Sequence, residues 1–402
     1  MSQTMSLERE EVALAGWARG VRRSALQDLL VEGTRPGVLS LALGLPAAEL
    51  FPAEEYGRAA AEVLARDPRA LQYGPPFEPL KKQVVALMRE RGVECTEAQV
   101  FLTAGAQQGA NMLARLLLDQ GAQVVVEEMT YPGFQQVLQP YCPEVLTVPT
   151  DAETGMDVDA LERLLEGGAR PALIYCVTDG HNPLAVSLSR DKRERLVSLA
   201  RAFRVPVVED DPYGFLQYGG AAAAPLRALD DRWVLYVGTF SKILAPALRA
   251  GWVVVPEHLV PLLSIVKESS DINMAPLSQR AVSAFIDAGH LGGHVATLRR
   301  EYGRRRDAMH EALAEHFGGL ARWHRPSSGM FFWVELPEEV DTTRLFRRAI
   351  DAERVAFLPG PAFGVGRERA TNCMRLNFSH NPPGLIREGV ERIARVLKGG
   401  LS

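Results

Sequence analysis

Short β-branched runs alternate with longer amphipathic stretches along the first 260 residues. Val124-Val125-Val126, Ala172-Leu173-Ile174-Tyr175, Val205-Pro206-Val207-Val208, Val234-Leu235-Tyr236-Val237 and Trp252-Val253-Val254-Val255 read as buried strands. The stretch from Asp191 to Phe203 reads as one of the amphipathic helices between them, with apolar positions at Leu196, Val197, Leu199 and Ala200. Strand–helix alternation of this kind predicts an α/β fold with a mainly parallel sheet covered by helices. The short loop between 234–237 and 252–255 suits an antiparallel pair. After about residue 260 a long charged helical region follows, including Leu298-Arg299-Arg300-Glu301-Tyr302-Gly303-Arg304-Arg305-Arg306. Strand-like pieces at 329–334 and 374–378 then predict a smaller α+β domain at the C-terminal end. No internal repeat, low-complexity tract or long linker interrupts the chain.

Composition narrows the classes. The 402 residues are 47% hydrophobic, too much apolar material for one small domain, and the length suggests two or three. A net charge of -4 advertises neither a polyanion partner nor an acidic membrane surface. Cys95, Cys142, Cys176 and Cys373 are dispersed and form no C-x-x-C pair, which argues against a disulfide framework or a zinc site. The N-terminal segment lacks the apolar core of a signal peptide, and no run approaches the ~20 apolar residues of a membrane span. A cytoplasmic location is the default expectation. His290 and His294 have zinc-protease spacing, but Leu291-Gly292-Gly293 between them supplies no glutamate and a poor helix, so no metal site is expected. The run Arg304 to Arg306 reads as a solvated helix face, with too few aromatics nearby for nucleic-acid binding. No G-x-G-x-x-G follows a strand.

Three segments carry candidate chemistry. In Tyr236-Val237-Gly238-Thr239-Phe240-Ser241-Lys242, a lysine follows a buried strand, flanked by hydroxyls, with Arg249 seven residues on. Burial near a cation lowers an amine's pKa and makes it a nucleophile toward an aldehyde, while the hydroxyls and Arg249 suit a phosphate. A surface lysine after a strand has the same local pattern. Val208-Glu209-Asp210-Asp211-Pro212-Tyr213 sets carboxylates at a strand end with a phenol close by. A pyridine cofactor needs such an anion at its ring nitrogen, although strand-end acids also bind metals and riboses. Phe101-Leu102-Thr103-Ala104-Gly105-Ala106-Gln107 turns from a strand into a helix whose N–H groups suit an anion, and equally reads as a plain strand–helix turn.

Taken in order, the glycine-rich turn, Tyr131-Pro132-Gly133, His181-Asn182-Pro183, Asp210-x-x-Tyr213, Thr239-x-Ser241-Lys242, Arg249 and Arg375 resemble the fold-type-I pyridoxal-phosphate aminotransferases of the class I/II superfamily. The closest look is to the branch of 2-aminoadipate, kynurenine and multisubstrate aromatic aminotransferases, from about Gly37 to the C-terminus. The resemblance implies a large domain with a mostly parallel, seven-stranded-type sheet sandwiched by helices, plus a smaller α+β domain built from the N- and C-terminal parts. The implied divisions are 1–55 for an arm and part of the small domain, 56–289 for the large cofactor domain, and 290–402 for the rest of the small one. It also implies pyridoxal 5′-phosphate as cofactor. Lys242 then matches the Schiff-base lysine and proton shuttle, Asp210 the acid at the pyridine nitrogen, and Asn182 and Tyr213 the donors to the ring oxygen. Tyr131 resembles the aromatic stacked on the ring. Gly105, Ala106, Gln107, Thr239, Ser241 and Arg249 match the phosphate cradle. Tyr73 resembles the tyrosine that reaches the neighbouring subunit's phosphate, which implies a homodimer. Arg375 matches the fork that grips the substrate α-carboxylate, and Gly44 a backbone contact to it.

Departures from the family pattern bear on substrate. The phosphate turn carries Ala106 where a serine is usual, and Asn-Pro-Thr-Gly is replaced by Asn182-Pro183-Leu184-Ala185. Thr178-Asp179-Gly180-His181 lacks the usual proline and aromatic, and Leu43-Gly44 replaces a double glycine, narrowing the pocket mouth. Gln27 stands where 2-aminoadipate enzymes supply an arginine for acidic side chains, and Arg22 or Arg23 would approach from another helical face. The expected reaction is therefore transfer of the amino group of a neutral or aromatic L-α-amino acid to a 2-oxo acid such as 2-oxoglutarate. The rival keeps the cofactor but not the transfer: an oxidase, cyclase or lyase of specialised metabolism. A ligand-sensing domain of a winged-helix regulator would need a DNA-binding pattern ahead of Gly44, and residues 1–43 show none.

Overall fold

The computed structural model describes residues 14–20, 29, 31–219, 223–366 and 369–399. Seven strands form the central sheet: β1 Val100–Thr103, β2 Gln123–Glu127, β3 Glu144–Val148, β4 Leu173–Cys176, β5 Val207–Asp210, β6 Val234–Thr239 and β7 Gly251–Val254. Their spatial order is β1-β7-β6-β5-β4-β2-β3, and every pair is parallel except those of β7, antiparallel to both neighbours. The strand runs expected from sequence are all found, and the antiparallel 234–237/252–255 pair with them. The boundaries move by up to two residues because apolar runs fix a strand's existence better than its ends.

Burial shows why these strands are apolar throughout. Helices α1 Ala106–Leu117, α2 Pro132–Leu138, α3 Val158–Glu166 and α4 Arg190–Phe203 cover the sheet. Val125, Ile174, Val207 and Val234 pack on one face with Leu161 and Leu165 of α3 and Leu196, Val197 and Ala200 of α4. Val124, Val126, Tyr175, Val208 and Val237 point the other way, toward Met112 and Leu113 of α1 and Phe134 of α2. Successive side chains of one strand thus enter two different cores, which a period-2 element can do only if both faces are covered.

The C-terminal part is α+β, as expected. Strands β8 Phe331–Glu335, β9 Leu358–Pro359 and β10 Cys373–Asn377 form an antiparallel sheet with β10 in the middle. Leu39–Ser40 pairs in parallel with Val355–Ala356, so the two ends of the chain meet. The charged region after 260 resolves into helices Val260–Asp271, Pro276–Asp287 and the 28-residue α5 His290–Phe317, which packs with α6 Pro383–Lys398.

Two readings of α5 are corrected. Gly292 and Gly293 lie inside its first turns; their surroundings are open, and the buried stripe Leu291, Val295, Leu298, Tyr302 and Met309 outweighs about 1 kcal/mol of lost propensity per glycine. The run Arg304 to Arg306 is not a solvated face. Only Arg304 is exposed. Arg305 is buried and donates to the Ser379 carbonyl and Glu49, while buried Arg306 donates to Asp307 and the Pro326 carbonyl. Guanidinium groups can be buried in series where backbone carbonyls and acids lie opposite, and a composition count does not see those partners. No helix among the described residues is long and apolar enough to cross a membrane, and no cluster of metal-ligating side chains occurs among them.

Candidate active site

The C-terminal ends of the parallel strands are where an open α/β sheet binds ligands, and the site is built there. Gly251 opens β7 and pairs with Thr103 of β1 on one side and Thr239 of β6 on the other. A Cβ at Gly251 would fall 2.9 Å from the Gly105 Cα, so only glycine lets the Gly105 turn close against the end of β6. Gly105 has φ +84° and ψ 172°, a region essentially restricted to glycine, and a Cβ there would sit 2.5 Å from Arg249 Nη2. Arg249 reaches back to donate to the Ala104 and Pro246 carbonyls at 3.0 and 3.3 Å. The Thr239 hydroxyl accepts the Ser241 N–H at 3.1 Å and lies 2.9 Å from the Ser241 hydroxyl. The start of α1, two hydroxyls and a guanidinium thus converge on one end of a cavity of about 320 Å³.

Gly105→Ala should raise the dissociation constant of a phosphate-bearing ligand about tenfold or more. The backbone strain alone is about 1–3 kcal/mol, and the methyl displaces Arg249. Equilibrium titration of the apoprotein checks this.

Lys242 follows β6 and projects into the same cavity, where Nζ donates to the Gly44 carbonyl at 2.9 Å. Burial, reinforced by the positive charges of Arg375 and Arg249, pushes its amine down to about 8. Asp210 closes β5. Its Oδ2 accepts the Tyr175 hydroxyl at 2.7 Å, while its buried Oδ1 has no partner. Burial raises this carboxyl to about 6, with the Tyr175 hydrogen bond pulling the other way and Asp211 adding to the rise. No cation faces it directly.

Arg375, in the middle strand of the small sheet, is buried against the rings of Phe331 and Phe363, 4.1 and 5.0 Å from their centroids. Its Nη1 donates to Asn182 Oδ1 at 2.6 Å and its Nη2 to the Ala42 carbonyl at 2.7 Å. Among the described residues it has no acidic partner, and burial pushes its guanidinium down to about 10, opposed by Tyr213 and Tyr131. A buried cation satisfied only by neutral groups is an anion site.

Most of the residues expected from sequence meet here. Gly44, Ala106, Gln107, Tyr131, Asn182, Asp210, Tyr213, Thr239, Ser241, Lys242, Arg249 and Arg375 all line the one cavity, and Gly105 lies directly behind Arg249. Tyr73 is 85% exposed and does not reach its own chain's cavity. Gln27, like Arg22 and Arg23, lies outside the described residues. Sequence reasoning missed Tyr175, Phe134, Phe331 and Leu358, which also line the cavity. Tyr175 carried a usable signal, since a phenol at the end of a fully buried strand must find a polar partner. It also missed the buried ions beneath the site. Arg91 bridges Asp179 and Asp211 at 3.0 and 3.2 Å, and Arg193 holds Asp179 at 2.8 Å. That pairing accounts for an aspartate in the divergent 178–181 segment.

The donor set fits pyridoxal 5′-phosphate. The Gly105–Arg249 end suits the phosphate, and an amine of lowered pKa suits the aldehyde. An orphaned buried carboxylate oxygen suits a protonated ring nitrogen. A mostly parallel α/β sheet with this cavity at its carboxyl edge defines the class: a pyridoxal-phosphate enzyme acting on a carboxylate-bearing amine. The family described as aminotransferase class I and II matches residues 37–393, and the chain belongs to it. It is 38% identical to "Aromatic-amino-acid aminotransferase 1" of Thermococcus litoralis, over 95% of this chain and 93% of the relative. Among solved structures it is similar to Pyrococcus horikoshii kynurenine aminotransferase in complex with PMP, with KYN as substrate and KYA as product. The TM-score there is 0.91 at 36% identity, over 97% of this chain and 98% of the other. It is also similar to LysN, the α-aminoadipate aminotransferase of Thermus thermophilus complexed with N-(5'-phosphopyridoxyl)-L-leucine. That match has a TM-score of 0.88 at 35% identity, over 96% and 98% of the two chains. The protein is a pyridoxal-phosphate-dependent aminotransferase.

Proposed function

We propose that the enzyme moves the amino group of a neutral or aromatic L-α-amino acid to a 2-oxo acid such as 2-oxoglutarate. The observation that carries this reading is Arg375: a buried guanidinium without an acid, in one cavity with Lys242 and Asp210. It supplies one fork for one α-carboxylate. The cations lining the cavity among the described residues are Lys242, Arg249 and Arg375, and each already has a task. Phe134, Val177, Phe331 and Leu358 make the remaining wall apolar, which favours an apolar donor side chain over an acidic one.

The roles carried over from the family resemblance are supported by the shared cavity these residues line. Arg249, Thr239, Ser241, Ala106, Gln107 and Gly105 would hold the phosphate, and Tyr131 would pack against the pyridine ring. Asn182 and Tyr213 address the ring oxygen, and Asp210 keeps the ring nitrogen protonated. Pyridoxal phosphate, when bound, supplies an electron sink for the charge left at the substrate's Cα. Arg375, backed by Gly44, orients the substrate so that its Cα–H faces Lys242, whose Nζ takes that proton and returns it on the cofactor side. Exposed Tyr73 belongs to a homodimer in which it reaches the partner subunit's phosphate. We place the domain divisions after residues 55 and 289, and the enzyme in the cytoplasm.

A spectral titration of the bound cofactor against a panel of amino acids, with product identification, tests the reading. Aromatic and neutral donors should convert the cofactor to its pyridoxamine form and release the matching 2-oxo acid, with acidic donors slower. If no amino acid in the panel did so, the transfer reaction would be excluded in favour of the oxidase, cyclase or lyase reading.

A further inference from the structure

Asn182 is presented to Arg375 by a turn organised around its neighbour. His181 is 1% exposed and does not line the cavity. Its N–H donates to the Val186 carbonyl at 2.8 Å, and its carbonyl accepts the Ala185 N–H at 2.5 Å. Its Nδ1 accepts the Leu184 N–H at 3.3 Å. Both sides of the turn are therefore tied to this one residue. With Nδ1 accepting, the proton of the neutral ring resides on Nε2. That atom lies 3.1 Å from Oε2 of Glu127, the last residue of β2 and 3% exposed. The approach is off the N–H axis, so the contact is electrostatic rather than a straight hydrogen bond.

The turn needs this support. Ala185 is held at φ +59°, a left-handed conformation that costs a non-glycine residue about 1–2 kcal/mol and persists only where surroundings impose it. On its other side the segment meets the small domain. The Ser187 and Ser328 hydroxyls are 2.8 Å apart, and His324 Nε2 lies 3.3 Å from the Ala185 carbonyl. The turn is thus wedged between the end of β2 and the 324–328 segment that leads into β8. Asn182 Oδ1 is directed to Arg375 Nη1, which leaves the amide NH₂ free for the cavity.

We propose that His181, held against Glu127, is a positioning residue of the active site, fixing the 181–186 turn so that Asn182 meets both Arg375 and the cofactor's ring oxygen. The proposal rests on the roles given above to Asn182 and Arg375. His181 touches neither substrate nor cofactor and acts through Asn182.

The holoenzyme variants His181→Ala and Glu127→Ala, and their combination, test this. His181→Ala should raise KM for amino acid and oxo acid alike by about tenfold and lower kcat by less than that, because the carboxylate fork is loosened while the proton carrier Lys242 stays in place. The visible absorption maximum of the bound cofactor should shift as the ring oxygen loses a donor. Glu127→Ala should reproduce both effects in part, and the double variant should be no worse than His181→Ala, since paired residues are not additive. Glu127→Gln keeps the volume but removes the charge facing Nε2, so it should reproduce part of the rise in KM and of the absorption shift, and it carries the test if the alanine variants do not fold. A loss of thermal stability with unchanged KM and absorption maximum, or additive effects in the double variant, would overturn the proposal. The absorption shift does not require turnover, so it reports on His181 even if the transfer reading fails.

Discussion

Lys242→Ala should lower the rate of amino-group transfer by at least about ten-thousand-fold, measured as single-turnover conversion of the bound cofactor by an excess of amino donor. The proton affinity of this amine suits the task near neutral pH. Burial brings it to about 8, while the phenols of Tyr131 and Tyr213 are pushed above their ordinary range by burial. Asp210 is turned to Tyr175 through one oxygen, and its other oxygen has no hydrogen-bond partner among the described residues. Uptake of pyridoxal phosphate by the apoprotein should rise with pH through about 8 in the wild type, tracking the neutral fraction of Lys242. The same substitution should stabilise the apoprotein. A lysine whose folded pKa is depressed to about 8 penalises folding fully below that pH, and the penalty fades as pH rises toward the unfolded value of about 10.4. Thermal midpoints of the two apoproteins should therefore differ most below pH 8 and converge in alkali. Equal midpoints at pH 7 would contradict the depressed value. A site that needs a buried, unpaired amine is bought with stability.

The parts of the site that were readable in the sequence are those fixed by strand ends. Asp210, Thr239 and Lys242 terminate or follow apolar runs, and a mainly parallel sheet delivers all its strand ends to one edge. Gly105 was readable only in the ordered company of the other motifs, because a plain strand–helix turn has the same local pattern. Phe331 was not, because it sits in a run buried on both faces and the pattern cannot say which face becomes the cavity wall. Arg305 and Arg306 were misread for a related reason. Their charge is cancelled by Glu49, Asp307 and carbonyls from distant segments, which only the fold brings together. His181 was visible as part of a motif, yet its partner Glu127 ends a different strand, and nothing local to either residue announces the pair. The antiparallel β7 was inferred from loop length alone. Its consequence, closing the Gly105 turn against Thr239, required the register.

Arg375→Leu should lower kcat/KM for amino acid and oxo acid together by about 30- to 5,000-fold, the range of about 2–5 kcal/mol for removing one member of a buried charge pair. The loss should be shared by both half-reactions, because the α-carboxylate is the one group common to the two substrates. It should appear chiefly in KM if the fork only binds, and in kcat as well if it also orients the Cα–H toward Lys242. Folding should survive. The side chain lies between Phe331 and Phe363, an environment that accepts leucine, and the wild-type guanidinium has no acid to leave stranded when it goes. Arg375→Lys should recover little, since a single ammonium cannot span Asn182, the Ala42 carbonyl and a carboxylate in one plane. The sharpest measurement compares an amino acid with the amine that lacks its carboxylate. Wild type should prefer the amino acid strongly, and Arg375→Leu should lose most of that preference while cofactor affinity stays within about threefold, because the phosphate site proposed at Arg249 and the Gly105 turn is left intact. A variant that kept the preference would place the carboxylate on another group and remove the basis for assigning an α-amino acid as substrate.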